Sequence, residues 1–341
     1  MTRIKVLVTG ATGFIGASLV RRLTAAGVET SALVRSTTRA AALRGWGAQL
    51  CLGDLRDAAT LRRATAGTDV VVHAAAWVGA GGDPREIEAT NVGGTRSLLE
   101  AAVNAGVRRF VYLSSTGVYG ALQREGIDET QAMRRTGLAY HDSKIAAEEV
   151  VLAERRLWTV RLRPSHVWGP GSTHFTMRPL RMLLRGPVPV VAGGRYRFKP
   201  LHIDNLLDAI ERCLEQELPS AQALNLTDGY TRSWRELFEA YAQAAGVPLR
   251  LRSIPLPVAR LAGWLGDAYT HLTGRAAPLS GETVRVLSSA NSYDHTRAKA
   301  ALRWTPEVDW QRGMEGVERW FAGLPRASLT GPQLPLPLEV L

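Results

Sequence analysis

The 341-residue chain has two cysteines and, among 42 basic residues, four lysines. Cys51 and Cys213 lie far apart in apolar surroundings. That excludes a disulfide framework and a cysteine-based metal site, so no metal is expected and the thiols read as reduced core residues. No stretch of about 18 residues is both apolar and free of charge, which excludes a spanning helix. The first strand begins at once, at Ile4, leaving no room for a signal peptide, and a cytoplasmic location is expected. The net charge of +11 invites a nucleic-acid reading, but the positive charge is nearly all arginine and scattered, with no aromatic-interleaved basic run. No nucleic-acid partner is expected. The lysines stand only at 5, 144, 199 and 299. A lysine kept in so arginine-biased a sequence is a candidate for chemistry that a guanidinium cannot do.

What is present begins with an apolar, β-branched run, Ile4 to Val8, that breaks into Gly10, Gly13 and Gly16 as an amphipathic helix starts. This reads as a buried parallel strand, a turn and a helix. Gly10 makes the tight turn, Gly13 lets backbone approach a pyrophosphate, and Gly16 lets the helix pack close to the strand. The helix N-terminus offers free N–H groups to phosphate. A second strand, Glu29 to Val34, ends at Arg35, where an acidic residue would bind the ribose 2′-OH of NAD. A guanidinium there can stack on adenine and pair a 2′-phosphate, so NADP(H) is favoured over NAD(H).

Further strands are expected near Gln49 to Leu52, Asp69 to His73, Phe110 to Leu113 and Thr159 to Leu162. After the third comes Asp54-Leu55, with Asp57 an equal candidate to cap the next helix. After the fourth come His73-Ala74-Ala75, small residues against which a nicotinamide ribose can sit. A glycine-rich loop, Gly79 to Gly82, is expected to be mobile near a substrate mouth. Asn91 stands mid-helix at a cost in propensity, which marks it for a purpose. The strand ending at Leu113 delivers Ser114-Ser115, and Tyr140 and Lys144 follow at i, i+4 on one helix face. A phenol of ordinary pKa about 10 is a poor base at neutral pH. A nearby ammonium and a cationic nicotinamide would favour its phenolate. Tyr140 is thus the candidate acid/base, Lys144 its partner and a ribose ligand, and Ser115 a donor to the reacting oxygen.

From Met1 to about Phe321 these segments resemble the extended short-chain dehydrogenases/reductases, and most closely the 3β-hydroxysteroid-dehydrogenase and dihydroflavonol-reductase branches. The resemblance implies a Rossmann-type doubly wound parallel α/β sheet with helices on both faces and a smaller mixed α/β C-terminal domain. Residues 1–170, with 200–230 returning to them, would bind the dinucleotide, and 171–322 mainly the substrate. The turn at Gly10, Thr12, Gly13, Phe14, Ile15 and Gly16 would hold the cofactor. Arg35, Asp54, Leu55, His73, Ala74, Ala75, Asn91, Tyr140, Lys144, Pro164 and His166 would help, with Asn91 orienting the lysine. The resemblance also implies a small-molecule substrate and a homodimer through the helices from about Asn91 and Tyr140.

Departures from the family pattern narrow the reaction. Thr116 and Gly117 stand where sugar-nucleotide dehydratases carry Asp-Glu, and Ser165-His166 where epimerases carry Phe-Asn. The family's diphosphate-binding arginine falls at Phe198, with Arg197 one step off and on the opposite face of a strand. The expectation is a secondary-alcohol/ketone oxidoreductase acting on a fairly apolar, sterol-like molecule, with a nucleotide-sugar epimerase holding NAD as the alternative. Asp204 reads as the cap of a helix from Leu206. The apolar segment Pro255 to Gly274 reads as a helix docked on the core, a lid, or a surface for peripheral membrane contact. The Pro- and Leu-rich stretch 323–341 reads as a surface-packed or disordered tail.

Overall fold

The computed structural model describes residues 4–78, 83–216, 219–273, 277, 279–331, 334–335 and 337–341. The loop expected at Gly79 to Gly82 lies outside the described residues. Strands β1 (Lys5–Thr9), β2 (Glu29–Val34), β3 (Gln49–Leu52), β4 (Val70–His73), β5 (Arg109–Leu113) and β6 (Trp158–Pro164) follow in chain order. They are joined by β7 (His166–Trp168), β8 (Val188–Val191), β9 (Arg197–Phe198), β10 (Pro200–His202), β11 (Gln222–Leu226), β12 (Arg232–Ser233) and β13 (Leu251–Ile254). Seven form one sheet in the order β11-β6-β5-β4-β1-β2-β3, every pairing parallel. The order reverses between β1 and β4, so a crevice opens at their carboxyl ends, where ligands of such sheets sit.

Period-two alternation builds the two faces. Val6 and Val8 point into one cluster with Val70, Val72, Val111 and Val160, while Leu7, Val71 and Phe110 point into the other. The first face is covered by α1 (Phe14–Ala25), α2 (Ala41–Gly45) and residues Ile203 to Leu214; the second by α3 (Ala58–Thr65) and, past α4 (Pro84–Glu88), by α5 (Gly94–Asn104) and α6 (Ala139–Ala153). A third cluster joins Trp168, Phe198 and Val188 to α7 (Arg178–Arg185), and further along the chain to α9 below. The remaining helices are α8 (Ile203–Glu215), α9 (Trp234–Ala245), α10 (Leu256–Thr273), α11 (Gly281–Leu287), α12 (Thr296–Leu302), α13 (Trp310–Ala322), α14 (Arg326–Thr330) and α15 (Pro337–Val340).

Several local expectations change. Helix α8 starts at Ile203, and its cap is His202, whose Nδ1 accepts the Asp204 N–H at 3.3 Å; Asp204 sits in the first turn instead of capping. The cap of α3 is Asp57, which accepts from the Ala59 and Thr60 N–H groups, while Asp54 accepts from Arg56. The described residues of the C-terminal stretch pack against the body, the first of the two readings given for it. Leu329 is buried, Trp320 Nε1 donates to the Val340 carbonyl at 2.8 Å, and Leu338 and Leu341 reach the first cluster. Helix α10 is docked through Ala259, Gly263 and, at its start, Leu256. Ala259 and Gly263 are buried, whereas Val258, Leu261, Trp264, Leu265, Tyr269 and Leu272 are exposed. Of the three readings of this segment, docking on the core holds for Leu256, Ala259 and Gly263, while the large apolar side chains beyond Leu256 face outward.

The buried histidines carry a pH consequence. Burial, and secondarily Lys144, pulls His73 down to about 3, and burial followed by Lys199 pulls His166 well below its usual value. Folding therefore holds both neutral. Their contribution is complete above the unfolded value of about 6.5 and is lost as pH falls below it. Thermal melts between pH 7.5 and pH 5 are expected to show Tm falling from about pH 6.5 downward; a flat profile would contradict these burials.

Candidate functional site

The site is built at the carboxyl ends of β1, β4, β5 and β6. Gly10 has φ +68°, which disfavours a side chain, and a Cβ there would lie 2.6 Å from the Ala75 nitrogen. A Cβ on Gly16 would lie 2.3 Å from the Gly10 carbonyl oxygen. Glycine is thus required for the turn to press against Ala74-Ala75 and for α1 to close on β1. Thr12 and Gly13 are exposed at the tip, and Phe14 and Ile15 are half-buried in the first turn of α1. Gly13 caps this helix with no side-chain bond, so its first N–H groups face outward without a side-chain acceptor. This cradle fits a pyrophosphate by shape and by polarity. Arg35 is exposed just past β2. Asp54 is half-buried, and Leu55 is buried beneath Gly94, where a Cβ would come within 2.8 Å of it.

His73 is placed differently from the expectation. Its Nδ1 lies 2.7 Å from Thr9 Oγ1 and its Nε2 lies 2.9 Å from Thr95 Oγ1. Thr9 Oγ1 also accepts the Ala75 N–H, and the Thr95 hydroxyl donates to the Asn91 carbonyl. Both ring nitrogens are used, so His73 ties β1, β4 and α5 together and presents no free nitrogen to a cofactor. Asn91 lies in a π-helical turn, 89–93, ahead of α5. It accepts from the Trp77 N–H at 2.7 Å and donates to the Ser143 hydroxyl at 2.9 Å; its side chain does not reach the lysine. The Ser143 hydroxyl donates to the Tyr140 carbonyl. Asn91 therefore fixes the helical turn between Tyr140 and Lys144.

Lys144 is buried, and its Nζ donates to the Leu113 carbonyl at 2.7 Å and lies 4.9 Å from the Tyr112 ring centre. Burial lowers it to about 8 against the opposing pull of Glu148. Ser115 Oγ accepts the Gly117 N–H at 3.0 Å and is bonded to Tyr140. The phenol is shifted opposite to the expectation. Burial first, then Glu282, pushes Tyr140 up to about 12, and Ser115 only partly offsets this. The protein's own groups keep the hydroxyl protonated, as an acid would need. Pro164 is buried, its carbonyl accepting from Thr116 Oγ1 at 3.4 Å. His166 turns its ring into aromatics, 4.6 Å from Phe175 and 5.2 Å from Phe198, and its Nδ1 accepts the Lys199 N–H.

Three features escaped sequence reading. Glu282, on α11, lies 3.9 Å from His141 Nε2, and His141 packs against Tyr140 with ring centres 5.4 Å apart. A residue 142 positions along the chain leaves no local signal. Gly117 is filled in by that same histidine: a Cβ there would lie 2.6 Å from His141 Cδ2, so the glutamate of a dehydratase pair has no room. Beneath α6, Glu148 is fully buried between Arg161 and Arg163, and Arg163 also donates to Tyr119. Among the described residues no group of three or more His, Cys, Asp or Glu side chains could hold a metal.

A glycine cradle at a sheet's switch point, with a serine just past the end of β5 and a tyrosine and lysine on α6, defines a dinucleotide-dependent dehydrogenase or epimerase of the extended short-chain type. The chain belongs to the NAD dependent epimerase/dehydratase family, whose model matches residues 6–226. It is 30% identical over 325 residues, covering 93% of this chain and 96% of the relative, to a 4-hydroxy-2-methyl-3-oxo-4-farnesyl-3,4-dihydroquinoline-1-oxide ketoreductase of Stigmatella aurantiaca. It is 32% identical over 342 residues, covering 94% and 91%, to a 3 beta-hydroxysteroid dehydrogenase/Delta 5-->4-isomerase of Mycobacterium tuberculosis. Among solved structures it resembles MoeE5 in complex with UDP-glucuronic acid and NAD, with a TM-score of 0.76, 26% identity and coverage of 93% and 99%. The resemblance read from the sequence is met in family and in fold.

Proposed function

We propose that this enzyme is an NADP(H)-preferring oxidoreductase that interconverts a secondary alcohol and a ketone on a fairly apolar, sterol-sized molecule. The observation that carries the reading is the pairing of a complete Ser115-Tyr140-Lys144 set with a buried Phe198, packed among His166, Phe175 and Trp234, where the family's diphosphate-binding arginine would stand. Arg197, one residue away, is directed to Glu125. The named substrates of the two relatives, a farnesylated quinoline oxide and a steroid, support an apolar molecule.

A bound nicotinamide supplies or accepts the hydride. Ser115 and Tyr140 donate hydrogen bonds to the substrate oxygen, and Tyr140 gives up its proton as a ketone becomes an alcohol, or takes one in reverse. Lys144 favours the phenolate left behind and would hold the ribose hydroxyls. The cradle from Gly10 to Gly16, with Arg35, Asp54, Leu55, Ala74, Ala75 and Pro164, would hold the dinucleotide. In this reading residues 1–170, with 200–230 returning to them, serve the cofactor, and the rest of 171–322 mainly the substrate. The enzyme is a cytoplasmic homodimer through α5 and α6, which light scattering of the purified protein tests.

The Arg35 reading is checked by Arg35→Asp. It is expected to weaken NADPH roughly 10- to 100-fold, the size of a charge-assisted bond, and to leave or improve NADH. Equal losses for both cofactors would show that Arg35 only stacks on adenine. The UDP-sugar in the MoeE5 structure favours the alternative, an epimerase that retains NAD. A stoichiometric NAD released on denaturation would support it.

A further inference from the structure

Two of the four lysines are buried. Lys144 has an acceptor; Lys199 has none. No hydrogen bond or ion pair reaches the Lys199 ammonium among the described residues, although the residue is 3% exposed. The charge it feels is that of Arg197, a cation, and burial with Arg197 lowers it to about 7. Such a group is costly to keep in a fold without a partner.

Its surroundings repeat the pattern. Lys199 accepts the His166 N–H through its carbonyl at 2.9 Å and donates its own N–H back to that ring. The His166 ring lies 5.5 Å from Trp234, whose indole N–H is buried without an acceptor. Ser165, the preceding residue, has a buried hydroxyl that is also unpartnered. Two donors without acceptors and an unpaired ammonium thus belong to the segments that carry one aromatic cluster, and the Lys199 charge acts on the His166 ring within it. Buried donors are nearly always satisfied, so two orphaned donors, Ser165 Oγ and Trp234 Nε1, beside an unpaired ammonium call for an acceptor. The place is close to the site described above: Ser165 follows Pro164, whose carbonyl accepts from Thr116, the neighbour of Ser115.

We propose that Lys199, with Ser165 and Trp234, forms a subsite that binds an acidic oxygen group, such as a carboxylate, on an otherwise apolar substrate. Phe175, Phe198 and the His166 ring wall the carbon skeleton, and Lys199 supplies the charge that discriminates an acid from its ester. This rests on the reading of the cleft as a substrate site, so the test measures binding and not turnover. Calorimetric titration of the NADP-loaded enzyme with dodecanoate and with methyl dodecanoate is expected to show the acid bound about tenfold more tightly. Lys199→Met should abolish that preference while leaving NADPH affinity intact, and Lys199→Arg should restore part of it. Met matches the volume and removes a buried charge, so a purely structural lysine would give a variant of equal or higher Tm with the acid preference unchanged. That result would overturn the proposal, as would equal binding of acid and ester by the wild type. Tight binding of UDP that Lys199→Met abolishes would also overturn it, by assigning the anion site to a nucleotide diphosphate. Loss of NADPH binding in the wild type would instead strike the cofactor reading.

The outward stripe of α10, Val258, Leu261, Leu265, Tyr269 and Leu272, follows the 3–4–4–3 spacing of one helix face, with Trp264 at its flank. The sequence from Arg250 to Arg275 carries four arginines and one acid, Asp267, whose carboxylate accepts the Gly281 N–H. Arg250, Arg252 and Arg260 are exposed, and no described helix is long and apolar enough to cross a membrane. An apolar stripe with basic flanks is complementary to an anionic lipid surface. We infer that α10 seats the enzyme on such a surface. The enzyme should co-sediment with phosphatidylglycerol/phosphatidylcholine vesicles more than with phosphatidylcholine alone, and Leu261→Glu with Leu265→Glu should abolish this without lowering Tm. Binding unaffected by the double variant, or none by the wild type, would refute it. So would a wild-type oligomer that the double variant dissociates, since the stripe would then be covered by a second copy.

Discussion

Tyr140→Phe is expected to lower kcat for ketone reduction by about 10²–10⁴-fold, the usual contribution of a placed general acid, while NADPH affinity stays close to that of the wild type. The ring keeps its packing against His141, and only the hydroxyl bonded to Ser115 is removed. The sign of the pKa shift sharpens the expectation. Burial and Glu282 hold the phenol near 12, so in the reductive direction the proton is present across the neutral range. In the oxidative direction the phenolate must be generated by the charges of Lys144 and the oxidised nicotinamide. Alcohol oxidation should therefore rise with pH over a range where ketone reduction is nearly flat. Steady-state rates in both directions, with Tyr140→Phe beside them, decide this. Undiminished turnover in the variant would remove Tyr140 from the mechanism.

Glu148→Ala is expected to be the most destabilising single change on the catalytic helix, by about 3–5 kcal/mol. Glu148 is completely buried and takes bonds of 2.9 and 2.6 Å from Arg163, with Arg161 at 3.4 Å. Burial works against the Arg163 charge, but the bonds to Glu148 outweigh it and hold its pKa above the ordinary value. Removing the carboxylate leaves two guanidiniums in the core. Against a net stability of about 5–15 kcal/mol this is a large fraction, and Tm should fall by roughly 10 °C. Glu148 lies one turn beyond Lys144, so the residual folded enzyme should also lose activity. A loss of under about 1 kcal/mol by chemical denaturation would show that water already reaches the pair.

The parts of the molecule that were legible in the sequence are those set by local pattern. The strand–glycine–helix start, the strand ends that carry Ser115, and the helix that carries Tyr140 and Lys144 are short-range features, and each element falls within a residue or two of its expected place. Roles that depend on partners from elsewhere in the chain were not legible. His73 looked like a group on the cofactor's path, yet Thr9 and Thr95, 64 and 22 residues away, occupy both its nitrogens. Asn91 looked like a partner of Lys144 and instead binds Trp77 and Ser143. Glu282, which adds to the upward shift that burial imposes on Tyr140, had no signature at all. The apolar pattern of α10 was visible, but periodicity gives the existence of a face and not the direction it is turned.

The proposed reaction is net hydride exchange between NADP(H) and a ketone. The direct measurement is to incubate the purified enzyme, after gel filtration, with NADPH deuterated at C4 and a panel of steroid and long-chain ketones, and to analyse the products by mass spectrometry. The enzyme is expected to emerge without stoichiometric cofactor and to release an alcohol carrying one deuterium, in an amount equal to the NADP formed. An enzyme that emerges with one non-exchanging NAD per chain, transfers no deuterium to any ketone and interconverts UDP-sugars would contradict it.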